Sequence, residues 1–267
     1  MISYFDISTF HFGPLAIHTW GFFVSIGFVA ALWVAYCRAR RVALDGNAIL
    51  DLGFWILICA FLGARLFHVF FYEWNYYRVH LVEIIRIDQG GLSSFGGFIG
   101  ATVGFLVYGK LRLHNAPQPP LTLRGGGVLR YADVLMFAWP LGHAIGRVGC
   151  FLTHMHPGRL SNSVWAVQYP GGARLDMGLI ESAVLFTYWV IIFFATRKRR
   201  MFDGFYLVSG MIFYGAARFI LDFFRASDLP MADTRYAGLT PAQYGSIVLI
   251  AMGIVFFQKL RACKHVV

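Results

Sequence analysis

Charged side chains stand inside apolar stretches of this 267-residue chain, where a charge at the centre of a bilayer costs roughly 2.5–3.5 kcal/mol. Arg147 and Arg218 are two of them. The planar guanidinium group of arginine donates two parallel hydrogen bonds, which suits the oxygens of a phosphate. Two arginines from different segments could therefore clamp a phosphodiester and stabilise the charge that develops on a leaving phosphate. Arg65, in a third apolar segment, is a further candidate for binding the substrate.

Acidic residues in the same apolar stretches offer a simpler explanation, in which the charges form structural ion pairs. Arg218 and Asp222 are four residues apart, so a helix places them on one face. Arg147 has no acidic residue at helical spacing within its own segment, which favours a ligand for it. Asp133 and Glu181 are acids in other segments.

The segment that carries Arg218 repeats polar side chains at helical spacing. Tyr214, Arg218, Asp222 and Arg225 recur at intervals of four, four and three residues, so they share one stripe of a helix. We assign this stripe to substrate binding.

Three histidines near Arg147 are candidates for contact with the substrate or for proton transfer. His143 precedes Arg147 by about one helical turn, and His154 and His156 follow it. Histidine can act as a general base near neutral pH, and the alternative is that these side chains are polar anchors at the lipid interface. A zinc site of Cys150, His154 and His156 lacks a fourth ligand, so we expect no metal and no cofactor.

Glycines are concentrated in the stretch GGLSSFGGFIGA at 90–101. Gly96 and Gly100 have the spacing that permits close contact between helices. The backbone N–H groups of Gly96 and Gly97 could instead face a lipid headgroup, and we take both as candidates for substrate binding.

The elements that must position these residues are apolar helices. Hydrophobic residues make up 58% of the chain and charged residues 13%, and the mean hydropathy is +0.62. Soluble domains are nearer one quarter charged, so the composition indicates an outer surface that faces hydrocarbon. The four cysteines show no CxxC pair, which argues against a disulfide framework. The first residues, MISYFDISTF, do not have the pattern of a cleavable signal peptide.

Seven apolar segments are long enough to cross a bilayer, which takes about 17–25 residues. Basic clusters follow the first, third, fifth and seventh segments, so seven crossings put all four clusters on one side. The positive-inside rule makes that side the cytoplasm and leaves the N-terminus outside. The fold class is therefore an all-α integral membrane protein, a single domain of seven transmembrane helices without internal repeats. The segments are 17–37, 49–72, 93–109, 131–152, 178–196, 204–224 and 241–258.

The basic clusters also explain most of the formal net charge of +10. We therefore expect membrane lipids, including anionic ones, as partners and no nucleic acid. The pieces expected on the outer, periplasmic side include 73–92, 153–177 and 225–240, and 73–92 is either an interfacial segment or a connector. The clusters are Arg38, Arg40 and Arg41; Lys110, Arg112, Arg124 and Arg130; Arg197, Lys198, Arg199 and Arg200; Lys259, Arg261 and Lys264.

Over most of its length the chain resembles the prolipoprotein diacylglyceryl transferase family. Six stretches carry the resemblance: HTWGFFVSIGF (18–28), GARLFHVFFY (63–72), GGLSSFGG (90–97), ADVLMFAWPLGHAIGRVGCF (132–151) with Gly158-Arg159, LIESAVL (179–185) and FYGAARFILDFFR (213–225).

The resemblance implies an enzyme of the bacterial inner membrane, with phosphatidylglycerol and a prolipoprotein signal peptide as partners. Such an enzyme transfers diacylglycerol to the thiol of the lipobox cysteine, forms a thioether and releases glycerol phosphate. The resemblance further implies phosphate binding by Arg147 and Arg218. It also marks His18, Gly158, Tyr214 and Asp222 as substrate-binding positions.

Three positions depart from the family pattern: Phe95 replaces a histidine, Met155 replaces a common glutamate, and Cys150 stands where asparagine is frequent. The loss at Phe95 removes a candidate base, which His154 or His156 could replace. Two alternatives stay open, a paralogue that uses the same phospholipid with another acceptor, and a non-catalytic lipid-binding or transport protein.

Overall fold

The computed structural model describes residues 1–13, 15–86, 90–113, 127–199, 201–230 and 232–262, and these are mostly helical. Three of the basic residues used to predict the orientation, Arg124, Arg200 and Lys264, lie outside the described residues. The α-helices within them are α1 (Thr19–Arg41), α2 (Gly46–Phe71), α3 (Trp74–Tyr77), α4 (Ser94–Tyr108), α5 (Gly127–Leu152), α6 (Met177–Thr196), α7 (Phe205–Leu221) and α8 (Pro241–Ala262).

Two small antiparallel sheets correct the expectation of an all-α fold. Strands β1 (Thr9–Phe12) and β2 (Leu15–His18) form a hairpin, and β3 (Pro157–Leu160), β4 (Ala166–Tyr169) and β5 (Gly172–Asp176) pair in the order β3-β5-β4. Each strand has only four or five residues, so no alternating apolar pattern is long enough to reveal it. Both sheets lie mainly in segments that the sequence predicts to be outside the bilayer, where non-helical backbone is tolerated.

Six of the described helices are long and apolar enough to cross a membrane: Thr19–Arg41, Gly46–Phe71, Gly127–Leu152, Met177–Thr196, Phe205–Phe224 and Pro241–Arg261. The third predicted segment corresponds to α4, which has 15 residues. At about 1.5 Å per residue α4 is shorter than the hydrocarbon core of about 30 Å. Seven crossings therefore stay a prediction, as does the orientation of the termini.

The chain forms two compact units, one of Met1–Ala35 with Ala132–Val267 and one of Tyr36–Tyr131. In the larger unit, α1 meets α5 at glycines, since a Cβ atom on Gly27 would lie 2.3 Å from the carbonyl oxygen of Gly142. Ser182 of α6 donates a hydrogen bond of 2.9 Å to the carbonyl of Ala144 in α5. These contacts hold together helices that carry candidate site residues.

In the smaller unit, α2 and α4 pack with their backbones in contact. A Cβ atom on Gly100 would lie 2.0 Å from the carbonyl oxygen of Cys59, and one on Gly96 would lie 2.2 Å from that of Gly63. The close helix contact predicted from the spacing of Gly96 and Gly100 is confirmed.

This packing predicts different effects for two neighbouring glycines of α4. Gly100→Ala should lower the free energy of unfolding by about 1–3 kcal/mol, because the added methyl group overlaps the α2 backbone. Gly97→Ala is the matched control, since its Cβ atom would meet the Cβ atom of Ala64 at an ordinary 3.8 Å. We expect this control to be neutral or stabilising by up to about 1 kcal/mol, the helix propensity of alanine over glycine. Thermal unfolding in detergent measures both, and equal midpoints would contradict the packing argument.

Candidate functional site

Glu181 connects the two arginines that the sequence assigned to phosphate binding. Its Oε2 atom lies 2.7 Å from Nε of Arg147, and its Oε1 atom accepts a hydrogen bond from Nη1 of Arg218. The side chain of Glu181 is only 4% exposed, so the carboxylate is shielded from water. The three residues come from α6, α5 and α7, and we call them the arginine–glutamate network.

The expectation that Arg147 lacks an acidic partner is wrong. Its partner Glu181 stands on another helix, so no spacing within α5 could reveal the pair. The predicted pair of Arg218 and Asp222 is confirmed, with Nη2 of Arg218 3.2 Å from Oδ1 of Asp222. Two guanidinium groups and two carboxylates thus balance one another in formal charge.

Asp222 is fully buried and connects α7 to α8. Its Oδ2 atom accepts a hydrogen bond from the hydroxyl group of Thr240, directly before α8. Gln243 reaches back from α8 and donates a hydrogen bond of 3.1 Å to the carbonyl of Phe219. Because the carboxylate has no exposed surface, Asp222 positions Arg218 in this conformation instead of contacting a substrate, as the sequence had suggested.

Gly158 and Arg225 meet through their backbones. Arg225 is the last residue of the helical stripe that also contains Tyr214, Arg218 and Asp222. The two residues form an antiparallel bridge, and a Cβ atom on Gly158 would lie 2.8 Å from the carbonyl oxygen of Phe224. Nε of Arg225 lies 3.2 Å from Oδ2 of Asp233 and 3.8 Å from Oδ1 of Asp222. The missing side chain at Gly158 therefore allows the strand β3 to approach the segment that carries Arg225.

A small apolar cleft lies beside the network. Its lining includes Glu181, Tyr214 and Arg218. The remaining lining side chains are Val184, Leu185, Ala217 and Leu221. Apolar surface therefore lies directly beside the ion pair of Glu181 and Arg218.

His156 follows α5 and is within electrostatic reach of three arginines. Its carbonyl oxygen accepts a hydrogen bond of 3.0 Å from the backbone of Met177, one helical turn before Glu181. Burial, together with the positive charges of Arg147, Arg225 and Arg218, lowers the pKa of His156 to about 3. The imidazole is therefore neutral at physiological pH.

His154 has a different environment, although it is only two residues away. Its ring is packed among aromatic rings and its side chain is 3% exposed. Nδ1 lies 2.8 Å from Oδ2 of Asp176, which also accepts a hydrogen bond of 2.6 Å from the hydroxyl group of Tyr169. The other oxygen of Asp176 caps α6 by accepting a hydrogen bond from the backbone of Leu179. This placement makes His154 one of the residues that hold the start of α6, and the catalytic role stays a prediction.

Arg65, predicted to bind the substrate, lies in the smaller unit and holds a loop there. All five N–H donors of its guanidinium group are used by backbone carbonyls, so none is left for a phosphate in this conformation. The acceptors are Ile84 at 2.8 Å, Gly90 at 2.8 Å, Gly91 at 3.0 Å, Glu83 at 2.6 Å and Arg86 at 2.7 Å.

The backbone N–H groups of Gly96 and Gly97 are used within α4. The N–H of Gly96 points to the hydroxyl oxygen of Ser93 at 3.5 Å, and the N–H of Gly97 donates a hydrogen bond of 2.9 Å to the carbonyl of Ser93. The expectation that they face a lipid headgroup is therefore wrong, because they close the first turn of the helix.

The two remaining predicted histidines, His143 and His18, have different surroundings. His143 packs against the rings of Trp139 and Tyr214, at centroid distances of 4.9 and 5.5 Å. His18 ends β2, where its Nδ1 atom lies 3.3 Å from the hydroxyl oxygen of Thr9. Among the contacts of the described residues, none joins His18 to the network.

Sequence reasoning missed the positioning roles of Glu181, Asp176 and Thr240. Glu181 was visible as an acid in an apolar segment, but its partners were not. Thr240 and Gln243 have the spacing of a capping box, and the backbone N–H of Gln243 indeed donates to the hydroxyl oxygen of Thr240 at 3.2 Å. That signal could have located the start of α8.

Comparisons with known proteins agree on one family. The family model described as prolipoprotein diacylglyceryl transferase matches residues 8–259. Similar proteins named phosphatidylglycerol–prolipoprotein diacylglyceryl transferase occur in Finegoldia magna, at 32% identity over 96% of both chains, and in Mannheimia succiniciproducens, at 31% identity over 94% of this chain and 91% of the relative. A third, from Streptococcus uberis, is 29% identical over 95% of both chains.

The cap formed by Asp176 leads to a prediction about stability. Asp176→Asn keeps an oxygen that caps α6 but loses the charge that binds His154, whereas Asp176→Ala loses both. We expect the alanine variant to be the less stable of the two, by about 0.5–2 kcal/mol for the cap. Thermal unfolding in detergent compares the variants with the wild type. An alanine variant as stable as the wild type would contradict this role.

Proposed function

The chain belongs to the prolipoprotein diacylglyceryl transferase family and is a transferase, and we propose that it transfers diacylglycerol from phosphatidylglycerol to the thiol of a lipobox cysteine in prolipoproteins. The products are a thioether and glycerol phosphate. The names of the relatives supply the two substrates. One structural observation carries the proposal, the buried network of Arg147, Glu181 and Arg218 beside a partly apolar cleft.

The two arginines bind the phosphate of the donor lipid. Glu181 holds one guanidinium group on each of its oxygens, so it sets the separation of Arg147 and Arg218. Asp222 supports Arg218 through the other terminal nitrogen of its guanidinium group, Nη2. Positively charged donors held in place before the substrate binds are effective in a site that excludes water, because they need little reorganisation during the reaction.

The chemical step breaks a bond between the glyceryl carbon and a phosphate oxygen. The acceptor sulfur attacks that carbon, and the electron pair of the broken bond stays on the phosphate oxygen. Negative charge thus grows on the phosphate, and Arg147 and Arg218 stabilise it more strongly in the transition state than in the bound lipid. The acceptor must lose its thiol proton, because the thiolate is the nucleophile.

Membership of a transferase family leaves the sequence-based alternative of a non-catalytic lipid-binding or transport protein without support. The other alternative, a different acceptor, shares the donor and the phosphate site. An assay with purified protein, phosphatidylglycerol and a lipobox peptide separates the two proposals. Mass gain on the peptide cysteine supports the lipoprotein substrate, whereas release of glycerol phosphate without that gain supports another acceptor.

We also propose that α4 completes seven crossings of the bacterial inner membrane. The π-helical turn Gly109–Leu113 continues α4 directly. Together they give roughly 20 residues of helical backbone, or about 30 Å, which matches the hydrocarbon core. With seven crossings the N-terminus and the segments 73–92, 153–177 and 225–240 share one side of the membrane, which we propose is the periplasmic side. The positive-inside rule supports this orientation.

The phosphate clamp predicts the behaviour of charge-conserving variants. Arg147→Lys and Arg218→Lys keep the positive charge but lose the planar pair of donors, so each should reduce thioether formation by about 10²–10³-fold. Arg261→Lys is the control, because Arg261 lies at the end of α8 over the ring of Phe257 and outside the network. The peptide assay measures all three with equal amounts of folded protein. Wild-type turnover by either network variant would contradict the clamp.

The number of crossings predicts where the termini are. With seven crossings they lie on opposite sides of the membrane, and with six they lie on the same side. An epitope tag at the N-terminus should be accessible to antibody in intact spheroplasts, and a C-terminal tag only after permeabilisation. Equal accessibility of the two tags would refute a seventh crossing.

A further inference from the structure

We propose that His156 is the general base that removes the proton from the acceptor thiol, an assignment that rests on the proposed function. The reaction needs a base, and Phe95, at the position where the family pattern has histidine, carries no ionisable group. His156 is the histidine that the structure places beside the arginines without enclosing its ring in an aromatic cluster.

Backbone contacts on both sides fix the position of His156. On one side its carbonyl oxygen accepts the hydrogen bond from Met177 at the start of α6. On the other side the carbonyl of the next residue, Pro157, accepts a hydrogen bond of 3.3 Å from the backbone of Ala226. The segment around His156 is therefore held between the helix that carries Glu181 and the chain that follows Arg225.

Charged groups from three elements act on the imidazole. They are Arg147 of α5, Arg218 of α7 and Arg225, which follows α7. The carboxylate of Asp176, which ends the strand paired with β3, is bound to His154 and Tyr169 instead. The resting site therefore favours the neutral imidazole, the form that can accept a proton.

Binding of the donor lipid changes this balance. A phosphodiester adds a negative charge among the same three guanidinium groups and offsets their effect on the imidazole. The part of the lowering of the pKa of His156 that comes from the arginines is thereby removed, whereas the larger part, from burial, remains. A general base works best when its pKa is near the operating pH, so the base gains strength once the donor is in place.

The proton and the electrons balance over the whole step. His156 takes the proton of the S–H group, the sulfur bonds to the glyceryl carbon, and the C–O bond to the phosphate breaks. Its electron pair leaves with glycerol phosphate. The imidazolium then gives its proton to this phosphate monoester, whose second pKa is about 6, and returns to the neutral form.

His156→Gln tests the assignment in the peptide assay. We expect thioether formation at pH 7 to fall by about 10²–10⁴-fold, the usual contribution of a general base. Binding of phosphatidylglycerol, measured with the labelled lipid in detergent, should be unchanged. Folding is checked by the thermal midpoint, and His156→Asn provides a second, smaller variant.

The pH dependence distinguishes a base from a structural residue. Without a base the rate depends on thiol that is already ionised, so it should rise about tenfold per pH unit up to the thiol pKa of about 8.5. The deficit of His156→Gln should therefore shrink as the pH rises. His154→Gln is the matched control, and its loss of activity should be a constant factor at every pH.

Each outcome separates the two proposals. Wild-type rates in both His156 variants, or a deficit that does not change with pH, would overturn the base while the transferase stands. Absence of the thioether with the wild-type protein, beside a relative that modifies the same peptide, would overturn the proposed function and this base with it.

Discussion

One buried carboxylate determines how three helices of this protein meet. Glu181 binds Arg147 through one oxygen and Arg218 through the other. A charge at this depth is costly without a partner, and removing one member of a buried pair typically costs 3–5 kcal/mol because the other is left uncompensated. The helices α5, α6 and α7 are therefore constrained to present these three side chains to one another.

The contacts around the network keep it in place from the helix ends. Asp222 and Thr240 connect the end of α7 to the start of α8. Asp176 caps α6 and binds His154, which follows α5. Each carboxylate binds another side chain and also lies at a helix end, so these ends of four helices are held by side-chain hydrogen bonds as well as by packing.

The same constraint suits the chemistry of a phospholipid. Internally balanced charges allow arginines to exist in an apolar environment before the substrate arrives, and aliphatic walls continue from Arg218 along the cleft. The loop after α5 places His156 within electrostatic reach of the same cations, whereas His154 binds Asp176 at the start of α6. Two histidines separated by one residue thus have different surroundings, and the sequence does not indicate which of them lies near the arginines.

Local properties of the sequence were sufficient to predict a large part of the fold. Hydropathy located the long helices, the four-residue spacing of Arg218 and Asp222 predicted their ion pair, and the spacing of Gly96 and Gly100 predicted a helix contact. Each of these predictions depends on residues of a single helix, and helix geometry fixes which residues of one helix lie on the same face. The family resemblance likewise came from short stretches of residues, and the family model confirmed it.

Only the tertiary structure decided which groups from different helices and loops meet. It paired Arg147 with Glu181, used every donor of Arg65 on backbone carbonyls, and buried His154 against Asp176. Distances between side chains on separate elements depend on how those elements pack, and no spacing in the sequence encodes them directly. The sequence by itself therefore determined a membrane protein with charged residues in apolar helices, and the packing determined which of those residues are free to act.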